Sequence, residues 1–142
     1  MKKKYLFFSL TLVLVLIVAI FFREPATKDD LFIEYNEDDL TDIHISHVMG
    51  ELKQLSVSDK EYFISLLDEA DFKKKLISNV QKFNTDVVIY IDFSNSDDSM
   101  ILKFEFERQI LAVQGRKTKK LEQFLLVNDT KITEFIKKNA NE

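Results

Sequence analysis

The sequence predicts an α+β fold in two parts: an N-terminal transmembrane helix, then a small antiparallel sheet with two helices packed on one face, ordered ββα–βββ(β)–α. Three observations lead there. An uncharged, strongly apolar run covers Tyr5 to Phe22. Beyond it, short runs alternate apolar and polar residues between polar turns, as antiparallel strands do. Two further stretches repeat their apolar residues at helical spacing. The expected organisation is a cytoplasmic basic tail at 1–4, a membrane helix at 5–22, an acidic stalk at 23–40 and an extracytoplasmic domain at 41–142.

The anchor expectation rests on length. From Tyr5 to Phe22 the only polar side chains are Tyr5, Ser9 and Thr11. These 18 residues would make a helix of roughly 27 Å, close to the hydrocarbon thickness of a bilayer. Val13, Val15, Ile17, Val18 and Ile20 are β-branched, but in lipid each backbone N–H must be satisfied within the segment, which selects helix. A cleaved signal peptide, giving a secreted domain, is the alternative. It fits less well: Ile17 or Glu24 would stand where a small residue is needed before the cut, and the apolar core is long. Lys2, Lys3 and Lys4 precede the run, so the positive-inside bias puts the N-terminus in the cytoplasm and the domain outside.

Charge changes sign across that run. The chain carries 20 basic and 24 acidic residues, net −4. Setting aside Lys2, Lys3 and Lys4 leaves 17 basic side chains of the 20 against all 24 acids, a net of −7. Such a domain is a poor match for nucleic acid, whose phosphates are neutralised by Lys and Arg. With no cysteine, neither a disulfide framework nor lipid attachment through an N-terminal Cys is available, and stability must come from an apolar core.

Arg23 to Thr41 is dense in acids, broken by Leu31, Phe32, Ile33 and Tyr35, and reads as a stalk also fit to add an edge strand. Asp42 to Val48 alternates Ile43 and Ile45 with His44 and Ser46 as a strand. Met49-Gly50 supplies a turn, and Glu51 to Val57 reads as the returning strand, with Leu52 and Leu55 out of phase. Ser58, three residues before Glu61, has the spacing of a capping box. It opens a helix whose face is Tyr62, Phe63, Leu66 and Leu67, ending near Asp71 to Lys75. An ambiguous link follows, Leu76 to Thr85. Val87, Ile89, Ile91 and Phe93 then alternate along a strand, Asn95 to Ser99 turns, and Ile101 to Arg108 resumes with Leu102, Phe104 and Phe106 on one side. Ile110 to Gln114 is the next strand. Leu121 to Val127 suits strand or helix. Asn128 and Asp129 cap a final helix with Ile132, Phe135 and Ile136 on its face.

Chemistry-bearing motifs are scarce. His44 and His47 are the only histidines; on a regular strand their odd separation points them to opposite faces, where they cannot share a metal ion. Read as a helix, they would sit a turn apart with Asp42 and Glu51 as further ligands. Two polar residues on a sheet is the favoured reading. The acids Asp38, Asp39 and Asp42, and the turn Asp97-Asp98, lack the alternating oxygens, central Gly and terminal Glu of a calcium loop. No Ser stands in a G-x-S-x-G context. Gly50 and Gly115 are the only glycines, so there is no phosphate-cradling loop and no cofactor is implied. Phe72 and Phe83 flank the ambiguous link and are candidate partner contacts if exposed, with core the favoured place for both. The basic run Arg116, Lys117, Lys119 and Lys120 reads first as a surface turn, then as a docking site for an acidic partner or anionic wall polymer.

The strand Asp42-Ile43-His44-Ile45, the helix opening at Ser58 to Glu61 after Leu55-Ser56-Val57, the strand Val87 to Phe93 with its polar hairpin, and Gln114-Gly115 resemble small extracytoplasmic domains on anchored or secreted proteins of Gram-positive bacteria. The resemblance covers Asp42 to Asn139 and departs where many such proteins carry a lipid-bearing Cys. It implies a location and an architecture and carries over no catalytic residue. The function expected is a non-catalytic binding or regulatory module outside the cytoplasmic membrane, acting through an envelope protein or peptide. The alternative is a small envelope enzyme or metal-dependent hydrolase using His44, His47 and nearby acids. A third reading has the apolar run itself pairing with a partner's transmembrane segments.

Overall fold

Strict alternation in Val87–Phe93 puts Val87, Ile89, Ile91 and Phe93 in the interior and leaves the residues between them half-buried. In the computed structural model this strand, β5, lies inside one antiparallel sheet. Residues 9, 11–17, 25–33, 35–75, 83–95, 99–114, 121–127 and 130–141 are described. In chain order they form a helical run at 11–17 (α1), β1 (Pro25–Ala26), α2 (Lys28–Leu31), a 3-10 turn (Glu37–Asp39), β2 (Leu40–His47) and β3 (Lys53–Gln54). Then come α3 (Val57–Glu69), β4 (Asp71–Lys74), β5, β6 (Met100–Glu105), β7 (Ile110–Gln114), β8 (Leu121–Val127) and α4 (Thr130–Asn141).

The eight strands are ordered β1-β4-β8-β7-β6-β5-β2-β3, and every pairing among the described residues is antiparallel. Register sorts the side chains into two faces. Ile45 opposes Ile89, Ile89 opposes Leu102, Leu102 opposes Val113, Leu111 opposes Phe124, and Phe72 opposes Leu126. These residues share one face and one buried cluster with Phe63, Leu66 and Leu67 of α3 and Ile132, Phe135 and Ile136 of α4. The helices therefore cover that face. Phe63 stacks on Phe135 with ring centres 5.7 Å apart, and Tyr62 meets the same ring edge-on at 5.6 Å. Phe72 and Phe124 make a further edge contact.

The expected fold class needs correction at its N-terminus. Among the described residues no helix is long and apolar enough to cross a membrane. The described part of the apolar run is helical over residues 11–17, with Leu12 to Ile17 exposed. The transmembrane, single-pass signal anchor over Tyr5 to Phe22 is thus overturned. The cell-membrane localisation and orientation drawn from it fall too. The sheet is also larger than expected, with eight strands rather than five or six.

Two of the added strands come from the stretch read as a stalk fit to add an edge strand and from one read as a helix end. Within 23–40, Pro25–Ala26 pairs with Lys73 and Phe72, while Leu31 and Phe32 enter the core. Asp30 accepts the Thr27 backbone N–H at 2.7 Å, closing the first turn of α2. Lys28 then bridges Glu37 at 2.5 Å and Asp68 of α3 at 2.8 Å. Burial pulls its ammonium pKa down, but the two carboxylates more than offset this and hold it above the ordinary lysine value. Asp71–Lys74, expected as the end of a helix, is β4. Phe72 fills the core there by pairing opposite Leu126, which a helix could not do. The helix before it also starts earlier: Ser56, not Ser58, is the N-cap, accepting the Asp59 N–H at 3.2 Å. The returning strand is reduced to Lys53–Gln54, with Val57 already helical. Leu121–Val127 is strand because β7 and β4 claim both of its edges. The expected caps Asn128 and Asp129 lie outside the described residues.

Candidate functional site at the β2–β3 turn

The second face of the sheet carries His44, Ser46, Val88, Tyr90, Ile101, Lys103, Ala112 and Gln123 among others. Ile110 and Ala112 are buried there without joining the helix-covered cluster. At the β2 end of this face the chain turns back through His47–Gly50, closed by the Gly50 N–H on the His47 carbonyl at 2.8 Å. The third residue of that turn is Met49, at φ 79. Such a position suits Gly or Asn, because a Cβ at positive φ crowds the following carbonyl.

Several bonds hold the turn. Ser46 Oγ stands 2.7 Å from the His47 carbonyl and 3.0 Å from that of Gly50, its single proton shared between them. Asp86 O accepts the Val48 N–H at 3.2 Å and lies 3.2 Å from His47 Nδ1, which must carry its proton to donate to a carbonyl. Gly50 allows the close return: a Cβ there would sit 3.2 Å from that of His47.

The outcome is a shallow groove of about 460 Å³ with Val88, Tyr90 and Ser46 as floor and Val48, Met49 and Leu52 as rim. Met49 is fully exposed, Val48 and Leu52 about half so. The beginning of an edge runs beside it, but β3 has two residues and one is Lys53, which blunts strand addition. Side chains, rather than backbone pairing, are what this groove offers. A second groove, about 370 Å³, separates α3 from α4 beside Tyr62 and Phe135. Its rim alternates Lys131, Glu134 and Lys138, with Lys131 paired to Glu69 at 3.2 Å, the pattern of a solvated helix face.

Comparison with known proteins finds no matching family model, no matching curated protein and no matching solved structure.

The residues singled out from sequence fall in different places. Phe72 is buried on β4 and cannot be a partner contact; Phe83 is half-buried. Arg116, Lys117, Lys119 and Lys120 lie outside the described residues. His44 and His47 are not brought together on one ligand set. His44 Nδ1 is 3.3 Å from Asp92 Oδ2, whereas His47 faces Asp86 O. Among the described residues no group of three His, Cys, Asp or Glu could hold a metal ion. Ser99 also donates to Asp92, so the order is Ser–Asp–His with the carboxylate in the middle. A nucleophilic serine needs the imidazole between itself and the acid. This serine donates its hydrogen bond to Asp92 Oδ1, and the His44 imidazole stands against Oδ2 instead.

Elsewhere on the same face Glu105 is buried and gripped by Arg108, at 2.5 Å to Oε1 and 2.6 Å to Oε2, with the Asn84 N–H at 3.1 Å. The Arg108 hydrogen bonds outweigh burial and hold its carboxyl below the ordinary glutamate value. Bonded to Arg108 and to the Asn84 N–H, it serves as a clasp for the chain entering β5. Met49, Val48 and Leu52 were not among the sequence candidates. The available signal was two bulky apolar residues, Val48 and Met49, inside a turn, and Leu52 out of phase with the strand expected around it.

Proposed function

We propose that this protein is a non-catalytic binding module that takes an apolar side chain of a protein or peptide partner into the groove at the β2–β3 turn. The observation that carries this reading is Met49. A fully exposed thioether stands on a backbone at φ 79. A non-glycine residue there costs on the order of 1–3 kcal/mol. A turn kept only to reverse the chain loses that cost with Asn or Gly. Retaining Met makes sense when its side chain is used. Its flexible, polarisable chain adapts to varied apolar surfaces. Val48 and Leu52 extend the same apolar rim, and Tyr90 adds an aromatic floor with a polar tip.

The test is selection from a random peptide library on the immobilised full chain and, in parallel, on Met49→Asn. Enrichment of peptides with an apolar or aromatic anchor on the first and not on the second is the expected outcome. No enrichment, or equal enrichment on both, contradicts the reading.

A further inference from the structure

Met49 and Met100 share a chemistry and stand at opposite extremes of access. Met49 has a relative exposure of 102%, while Met100, in β6, has 0%. Thioether oxidation follows access, and the sulfoxide is polar where the thioether is apolar. The rim of the groove at Val48, Met49 and Leu52 is therefore the part of this face whose polarity an oxidant can change without entering the core. The turn itself has no reason to break on such a change. The Gly50–His47 backbone bond and the Ser46 hydroxyl contacts do not involve the Met49 side chain.

We propose that Met49 is a peroxide-sensitive contact, and that its oxidation to methionine sulfoxide releases the apolar partner from the groove. This rests on the docking reading above. In the step, a lone pair on the Met49 sulfur attacks the outer oxygen of hydrogen peroxide or an organic hydroperoxide. The O–O bond breaks as the S–O bond forms, and sulfur is oxidised by two electrons. The transferred oxygen loses its proton, the departing oxygen takes one up, and the latter leaves as water or alcohol. Two stereoisomers of the sulfoxide form, and each is reducible by its own methionine sulfoxide reductase.

The experiment treats the folded full chain with graded hydrogen peroxide and follows oxygen gain by peptide mapping. The same random peptide library is then selected on untreated, oxidised and reductase-treated protein. Met49 is expected to gain oxygen at least tenfold faster than Met100. Peptide enrichment is expected to be lost in step with it and to return after treatment with both reductases. Equal oxidation of Met49 and Met100, enrichment indifferent to Met49 oxidation, or a loss the reductases cannot reverse overturns the proposal while leaving the docking reading in place. Failure of untreated protein to enrich any peptide overturns the docking reading, and this proposal falls with it.

Discussion

Met49 sits at a position where backbone preference and side-chain identity disagree. Replacing it with Asn, which tolerates positive φ, is expected to raise stability by about 1 kcal/mol. The same change removes the apolar tip from the rim, so stability rises as peptide binding is lost. Urea denaturation beside a binding assay reads both, and a destabilised variant would argue that the Met side chain supports the fold. Glu105 gives a second expectation, in pH. Its carboxyl is held below the ordinary glutamate value by Arg108. The stabilisation it brings is complete above the unfolded-state pKa and is lost as pH falls through the lower folded-state one. Urea midpoints are expected to fall over that acid window, and Glu105→Gln to flatten the fall. An identical acid profile in the variant would remove Glu105 from the account. At this scale the sequence was legible where local chemistry acts alone and silent where it does not. Ser56 and Ser58 both precede an acid by three residues, at Asp59 and Glu61, so the spacing alone does not choose between them, and α3 is capped by Ser56. The turn at Met49-Gly50 was readable, but the strain at Met49 was not, because Gly50 beside it was the natural place to put any unusual φ.

Among the elements, α3 and β4 illustrate how neighbours override local preference. Lys73 to Lys75 suit a helix C-terminus, yet β8 and β1 offer partners on both edges of Asp71–Lys74. Phe72 then adds a large aromatic side chain to the core against Phe124. Phe72→Ala is expected to cost about 3–5 kcal/mol. Ser56→Ala, which removes the cap of α3, is expected to cost about 1 kcal/mol. Thermal or chemical unfolding of both variants checks the order. A mild Phe72→Ala would place that ring in a looser setting than the structure gives it. A strand with clean alternation, Val87–Phe93, was legible because one period suffices to choose a face. Leu121–Val127 was ambiguous because its apolar residues fit either period, and the choice is made by pairing with β7 and β4 from far along the chain.

For the whole molecule, what could not be read was which strands are neighbours. β4 lies beside β8, and β2 beside β5, so sequence order and sheet order part company. Those choices create the two faces, and with them the groove. The apolar run at the N-terminus was the opposite case: a strong compositional signal that no described helix matches in length. The architecture makes a graded prediction for hydrogen exchange. Amides of β5, β6 and β7, paired on both sides, are expected to exchange last, and those of the two-residue edge strands β1 and β3 first. Early exchange in β6 would contradict the strand order. Docking in the groove at the β2–β3 turn is tested by amide chemical-shift mapping of the full chain titrated with a peptide selected on it. Perturbations are expected to concentrate on Ser46 to Leu52 and on Val88 and Tyr90, and to be lost in Met49→Asn. Shifts confined to α3 and α4, or spread evenly over the surface, would contradict it.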